Sequence, residues 1–322
     1  MIAEPLLRMA TAMASPGGGG GRLSTFIFHR VLAEPDPLLA EEPDARRFDE
    51  LLRWIGGQFR VLPPLEACER LRSGSLPPRA AAITFDDGYR DNHDVALPLL
   101  RRHGMRACFF VATGFLNGGA MFNDRVIEAV RGAGERLADL GWLGLGELRL
   151  GSVEDGRAAI DRLLPAVKRL PLAERERAVA RLEDQLGAGA NTGLMMSDAQ
   201  VKALHAAGMA IGGHTRTHPI LKVLDDGAAR EEIARGADDL RAITGEAPVL
   251  FAYPNGRPGE DFDERHAPMV KAAGFRFAFT TRAGVAVPQT DPYQLPRFTP
   301  WDRSALRFQA RMLRNLFERV RA

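Results

Sequence analysis

Short apolar runs alternate with longer segments of helical spacing along most of the chain. Residues 23–28, 80–85, 106–112, 209–211, 249–253 and 275–280 are runs of strand length rich in Phe, Ile, Val and Ala. Residues 293–298 form a further short run. Between them, apolar residues three and four apart predict helices over 48–59, 65–71, 93–103, 228–243 and 266–273, with a terminal helix over 306–320. Ser197-Asp198-Ala199-Gln200 is a capping box for another short helix. Gly104, Gly208, Gly245 and Gly274 stand where helices stop. The connections are too long for hairpins, so the strands are expected to be parallel with helical crossovers, an α/β fold. An open sheet and a closed barrel both satisfy this pattern.

Residues 121–195 break the rhythm. They are charged, rich in arginine and helical in spacing over 125–140, 153–170 and 173–186, and are expected to form a helical insertion without strands. Ahead of residue 23, a five-glycine run at 17–21 predicts a flexible segment over 1–22, with one domain over 23–322.

The run 80–85 ends in Asp86-Asp87-Gly88. Adjacent carboxylates beside a core repel each other and are costly unless something positive neutralises them; a solvated turn is the simpler reading of these residues alone. Further chain changes the balance. His29 follows the first strand, His214 another, Tyr253-Pro254-Asn255 the next, and Arg297 ends the last. Reactive side chains at the C-terminal ends of parallel strands are the layout of a barrel active site. His214-Thr215-Arg216-Thr217-His218 offers two imidazoles within one loop, and Asp87 adds an oxygen. Two nitrogens and one oxygen match an open catalytic zinc site, although another divalent transition metal would suit the same donors.

The formal charge of +2, without a basic block, gives no electrostatic reason to expect nucleic acid as a partner. No apolar run reaches the length of a membrane span, and no basic segment followed by an apolar core marks a signal peptide. Cys68 and Cys108 are isolated from each other in sequence, which argues against a disulfide framework. These features lead to the expectation of a cytoplasmic protein. Nothing in the pattern sets an oligomeric state.

Thr84-Phe85-Asp86-Asp87-Gly88 and His214-Thr215-x-x-His218 together resemble the NodB-homology polysaccharide deacetylases, carbohydrate esterase family 4, from about residue 23 to 298. The resemblance implies a distorted (β/α)7 barrel and metal-dependent removal of acetyl from an N-acetylated glycan. It implies Asp86 as general base and Asp87, His214 and His218 as metal ligands, with Thr215 holding the loop. Three departures point to the branch that deacetylates biofilm exopolysaccharides. Phe251-Ala252-Tyr253-Pro254-Asn255-Gly256 has Ala252 where the family commonly has arginine, and implies the Asn255 N–H as an oxyanion donor. Leu295-Pro296-Arg297 implies Arg297 as the partner of Asp86. The family's late Leu-x-His motif is missing, no histidine following His266, and the resemblance to this branch, whose acid histidine comes from the first strand, implies His29 in Phe28-His29-Arg30 as general acid. Tyr253, Asp91 and Asn92 are expected to line the sugar site. The same fold also hosts amidases of non-sugar amides or cyclic imides, and a glycan-binding protein with an inactive site is a third possibility.

Overall fold

The computed structural model describes residues 3–187 and 193–317. The chain divides into two compact units. The larger contains Glu41–Leu116 with the segments up to Glu34 and from Met196; the smaller contains Pro35–Ala40 and Asn117–Met195.

In the larger unit, α1 (Ala3–Ala14) precedes β1 (Ser24–Phe28). Then α2 (Ala45–Gln58), β2 (Arg60–Val61) and α3 (Pro64–Arg72) lead to β3 (Ala80–Phe85), and α4 (Leu97–Arg102) leads to β4 (Ala107–Val111). The smaller unit supplies α5 (Phe122–Gly132), β5 (Arg136–Asp139), β6 (Glu147–Leu150), α6 (Val153–Lys168) and α7 (Leu172–Leu186). The larger unit resumes with α8 (Asp198–Ala206), β7 (Ala210–Gly213), α9 (Asp226–Thr244), β8 (Leu250–Ala252), α10 (His266–Ala272), β9 (Phe277–Phe279) and α11 (Ala305–Asn315).

The main sheet is parallel, in the order β1-β3-β4-β7-β8-β9, with β2 beside β3. It curls as the NodB-like (β/α) barrel does. The run 293–298 is not a full strand. Leu295 bridges to Phe279 on β9 and Phe298 bridges to Phe26 on β1, so this segment spans the gap between the two edges.

Alternation along the strands separates two cores. Phe28, Phe85 and Phe109 sit opposite one another in register and stack at 5.4 and 4.7 Å, packed with the helices α2 and α11. Ala80, Ala82, Cys108, Phe110, Ala252 and Phe279 belong to the other face. That period carries on past Phe85, so the face of Ala80 and Ala82 is also the face of Thr84 and Asp86.

Two expectations are corrected. Residues ahead of 23 were expected to be flexible, but α1 packs on α2 and α11. Thr11 and Ser15 are buried, and Gln58 Nε2 donates to Thr11 Oγ1 at 3.2 Å. The glycine run therefore turns the chain between α1 and β1. The insertion was expected to be helical throughout, but β5 and β6 form an antiparallel hairpin. The helix expected over 125–140 stops at Gly132, and Gly134 takes φ 63°, where a side chain would be strained. Ala138, Leu148 and Leu150 then face the core of the smaller unit while their neighbours face out. The end of the terminal helix expected at 320 lies outside the described residues.

Candidate active site

Four segments that follow strands converge at the C-terminal edge of the sheet. β3 delivers Asp86 and Asp87, β7 delivers His214 and His218, β8 delivers Asn255, and β1 delivers His29. Six non-glycine residues among those described have a left-handed backbone, and Asp87, Thr215, His218 and Asn255 are four of them. Such conformations cost energy and persist where surrounding structure enforces them.

Arg297 is held inside the curled sheet with 1% of its surface exposed. Its guanidinium donates to both Asp86 oxygens, at 2.6 and 2.7 Å. Its remaining donors reach the Thr280 carbonyl at 3.0 Å and Thr84 Oγ1 at 3.3 Å. Phe110 and Phe279 lie beneath it. Burial pushes the Asp86 pKa up, but the Arg297 charge and hydrogen bonds, together with the charges of His214 and His29, outweigh it and hold the carboxyl below the usual carboxylate range.

Asp87 Oδ1 is buried and has no hydrogen-bond partner. It lies 3.3 Å from His214 Nε2 and 3.4 Å from His218 Nε2. Ligand atoms of all three residues fall within 4.8 Å of one another. His214 Nδ1 is 2.7 Å from the Ala252 carbonyl, which places a proton on Nδ1 and leaves Nε2 as the atom that could ligate an ion. Burial pushes the His218 pKa down to about 4, so its ring is neutral near pH 7, as a ligand must be. An orphaned carboxylate oxygen beside two imidazole nitrogens is a donor set that fits a divalent transition metal.

The histidine loop is braced from within. The His218 N–H donates to Thr215 Oγ1 at 3.1 Å, and that hydroxyl donates to the His214 carbonyl at 2.6 Å. Glu232 on α9 accepts from the N–H groups of Arg216 and Thr217 at 3.0 and 2.8 Å. Gly236, one turn further, lets α9 approach: a Cβ there would stand 2.8 Å from the Thr215 carbonyl.

His29 is half-buried and near enough for its charge to act on both Asp86 and Asp87. Asn255, at φ 58°, has its carbonyl held by Thr281 Oγ1 at 2.7 Å.

Of the three expected sugar contacts, Asn92 and Tyr253 are corrected by their full burial, and Asp91 is engaged by its neighbours. Asn92 is fully buried and donates from Nδ2 to the His29 carbonyl at 2.8 Å. Asp91 accepts from Arg30 Nε at 2.8 Å and from the Val31 N–H at 3.1 Å. The two residues clamp the backbone of residues 29–31 and so position His29. Tyr253 is also fully buried; its ring stacks on Phe262 at 3.7 Å, and its hydroxyl lies toward Asp291 and Tyr293. It packs the core behind the site.

Sequence reasoning overlooked the Ala252 carbonyl, Thr84 Oγ1, Glu232 and Gly236. The first is a backbone atom and leaves no sequence signal. Thr84 lies inside the recognised motif, which pointed to it without giving its role.

The curled parallel α/β sheet thus brings together an Asp/His/His group that could hold a metal ion and an arginine-held aspartate. The sequence profile of the polysaccharide deacetylase family matches residues 73–142 and 175–278, more than half of the chain, and the chain belongs to that family. The Bacillus subtilis (strain 168) protein YxkH, also described as a polysaccharide deacetylase, is 35% identical over 68 residues, which span 20% of this chain and 24% of YxkH. Among solved structures, the Streptococcus pyogenes deacetylase PplD in complex with acetate superposes with a TM-score of 0.59 at 17% identity, over 92% of this chain and 98% of that one. IcaB from Ammonifex degensii superposes with a TM-score of 0.57 at 21% identity, over 91% and 98%. These similarities establish the fold. Among the described residues no helix is long and apolar enough to cross a membrane.

Proposed function

We propose that this protein is a metal-dependent hydrolase that removes N-acetyl groups from an N-acetylated glycan, an exopolysaccharide or its precursor. One observation carries the reading: the orphaned Asp87 oxygen stands between two imidazoles, directly beside an aspartate held by a buried arginine. Asp87, His214 and His218 would hold the metal, zinc being the ion that best suits these donors. When bound, such an ion supplies Lewis acidity toward an amide carbonyl and lowers the pKa of water.

The chain's own groups divide the remaining work. Asp86, kept ionised by Arg297, takes the proton of the attacking water. The Asn255 N–H donates to the carbonyl oxygen as negative charge develops on it. His29 gives a proton to the departing amine nitrogen as the C–N bond breaks. Acetate and a free amine result, so atoms and protons balance. The family assignment and the likeness to a deacetylase structure that holds acetate support this reading.

The test is acetate release from a panel of N-acetylhexosamine oligomers with zinc, with chelator, and with Asp86→Asn. Metal-dependent release that the variant lacks is expected. Absence of release from every glycan, with metal bound at one per chain, overturns the reading in favour of a non-sugar amidase or a glycan-binding protein.

A further inference from the structure

The loop that joins His214 to His218 holds an expensive conformation. Thr215 and His218 both take a left-handed backbone, at φ 60° and 54°, which costs energy in residues with a Cβ. The Thr215 hydroxyl closes the loop on itself, but Arg216 and Thr217, at its exposed tip, are fixed from outside. We propose that Glu232, on α9, is a positioning residue: it holds the two histidines at ligating distance before any metal arrives, and so sets metal affinity without touching the metal. The proposal rests on the metal-site reading above and carries it from the ligands to the group that spaces them.

Three hydrogen bonds support it. Glu232 Oε2 accepts from the N–H of Arg216 at 3.0 Å and from that of Thr217 at 2.8 Å, while Oε1 accepts from Thr217 Oγ1 at 2.7 Å. One carboxylate thus satisfies two consecutive amides and a hydroxyl. Hydrogen bonds to an ionised acceptor are about twice as strong as neutral ones. Glu232 lies one turn before Gly236, where α9 comes closest to the Thr215 carbonyl, so the helix that carries the carboxylate is itself seated against the loop.

The other side of the tip is held by the segment after β4. The Gly114 N–H donates to the Arg216 carbonyl at 2.7 Å, and Thr113 Oγ1 donates to Asp239 on α9 at 2.7 Å. Asp239 also stands 3.4 Å from Arg216 Nε, but both side chains are largely solvated, which makes that pair weak. Of these groups, Glu232 is the one that ties both tip amides to the helix. Glu231, its neighbour, instead pairs with Arg235 one turn on, at 2.7 Å in solvent.

The experiment measures zinc affinity by competition with a chromogenic chelator, for the native chain, Glu232→Ala, Glu232→Gln and, as a control on the same helix, Glu231→Ala. Groups that orient metal ligands commonly contribute about 10–100-fold in affinity, and Glu232→Ala is expected to weaken zinc binding by that factor. Glu232→Gln is expected to keep most of the affinity, because an amide oxygen accepts from both N–H groups and the amide N–H donates to the Thr217 hydroxyl. Glu231→Ala is expected to change nothing. Native affinity in Glu232→Ala overturns the proposal. So does a loss in Glu232→Gln as large as in Glu232→Ala, which would mean that the carboxylate acts through its charge on the ion. A second measurement needs no metal: hydrogen exchange of the Arg216 and Thr217 amides in the metal-free chain, followed by NMR. Both amides are expected to be protected in the native chain and in Glu232→Gln, and to exchange at least about tenfold faster in Glu232→Ala while the centre of α9 stays protected. Unprotected tip amides in the native chain overturn the preformed loop. Zinc bound by the native chain without acetate release from any glycan would count against the glycan reading alone, since neither measurement requires turnover.

Discussion

Arg297 meets Asp86 across 211 residues of chain, two guanidinium nitrogens on two carboxylate oxygens. Both partners are nearly inaccessible, at 1% and 2% exposure. The geometry explains why the sheet needs no full strand between β9 and β1. The segment there bonds to both edges through Leu295 and Phe298, and the residue between carries the cation that the interior requires. A lone buried carboxylate would take up a proton; a fork-shaped partner with its other donors satisfied keeps it charged.

Replacing Arg297 with Gln is therefore expected to act in two ways. Burial still pushes the Asp86 pKa up, and only the charges of His214 and His29 remain to oppose it, so the acidic limb of the kcat/KM profile moves to higher pH. Stability at pH 7 is expected to fall by about 3–5 kcal/mol, because a buried charge loses its partner. In the native chain the folded pKa of Asp86 is depressed. Its contribution to stability is thus present above the unfolded value of about 3.9 and lost as pH falls through the folded value. Urea unfolding at pH 7 and a pH–rate profile check both effects. An unmoved acidic limb would remove Asp86 from the role of base.

Metal binding is expected to depend on Asp87 more sharply than on any other single side chain, since its oxygen sits between both imidazoles. Asp87→Asn is expected to lower zinc content from one per chain to near zero and to abolish activity. Zinc at a hundred times its dissociation constant is expected to stabilise the native chain by about 2.7 kcal/mol and to leave the variant unchanged. Elemental analysis and thermal melts with and without chelator provide the readouts. Equal stabilisation of both proteins would place the ion elsewhere.

His29 and Asn92 should separate a proton donor from the residue that positions it. His29→Gln is expected to lower kcat by about 10²–10⁴, with little change in KM. Asn92→Ala leaves the His29 carbonyl without its donor, while Asp91 still holds Arg30 and Val31. It is expected to lower kcat only about tenfold and to cost about 1–3 kcal/mol of stability, kcat being read from steady-state rates and stability from urea unfolding. A loss of kcat in Asn92→Ala as large as that in His29→Gln would argue that the clamp does more than position.

Side chains that the fold gathers at the C-terminal edge of the sheet were legible in the sequence; the direction in which their neighbours point was not. Asp86, Asp87, His214 and His218 stand where strands end, and few structural needs place such residues there together. Asn92 and Tyr253 share the same stretches, yet both turn into the core, because burial and not polarity decided their orientation. The positions of the strands of the main sheet, β2 excepted, followed from apolar runs, whereas the hairpin β5–β6 did not. Its segment alternates over only four residues, too few to outweigh the helical spacing before it. The helix α1 was obscured by the glycine run after it.

Gly236 tests how tightly the metal loop is held from behind. In an exposed helix interior, Gly→Ala commonly stabilises by about 1 kcal/mol. Gly236 is buried within α9, and its position leaves no room: the new methyl would stand 2.8 Å from both the carbon and the oxygen of the Thr215 carbonyl. The obstruction is backbone, which cannot rotate away, and Thr215 is already in the left-handed region at φ 60°. Gly236→Ala is therefore expected to destabilise the protein by about 1–3 kcal/mol. Displacing the loop moves His214 and His218 relative to Asp87, so zinc affinity should fall as well. Calorimetric titration of zinc into the variant measures the second effect apart from the first. Unchanged affinity in a destabilised variant would mean that the loop moves as a rigid piece with its ligands in register, and that Thr215, not α9, sets their spacing.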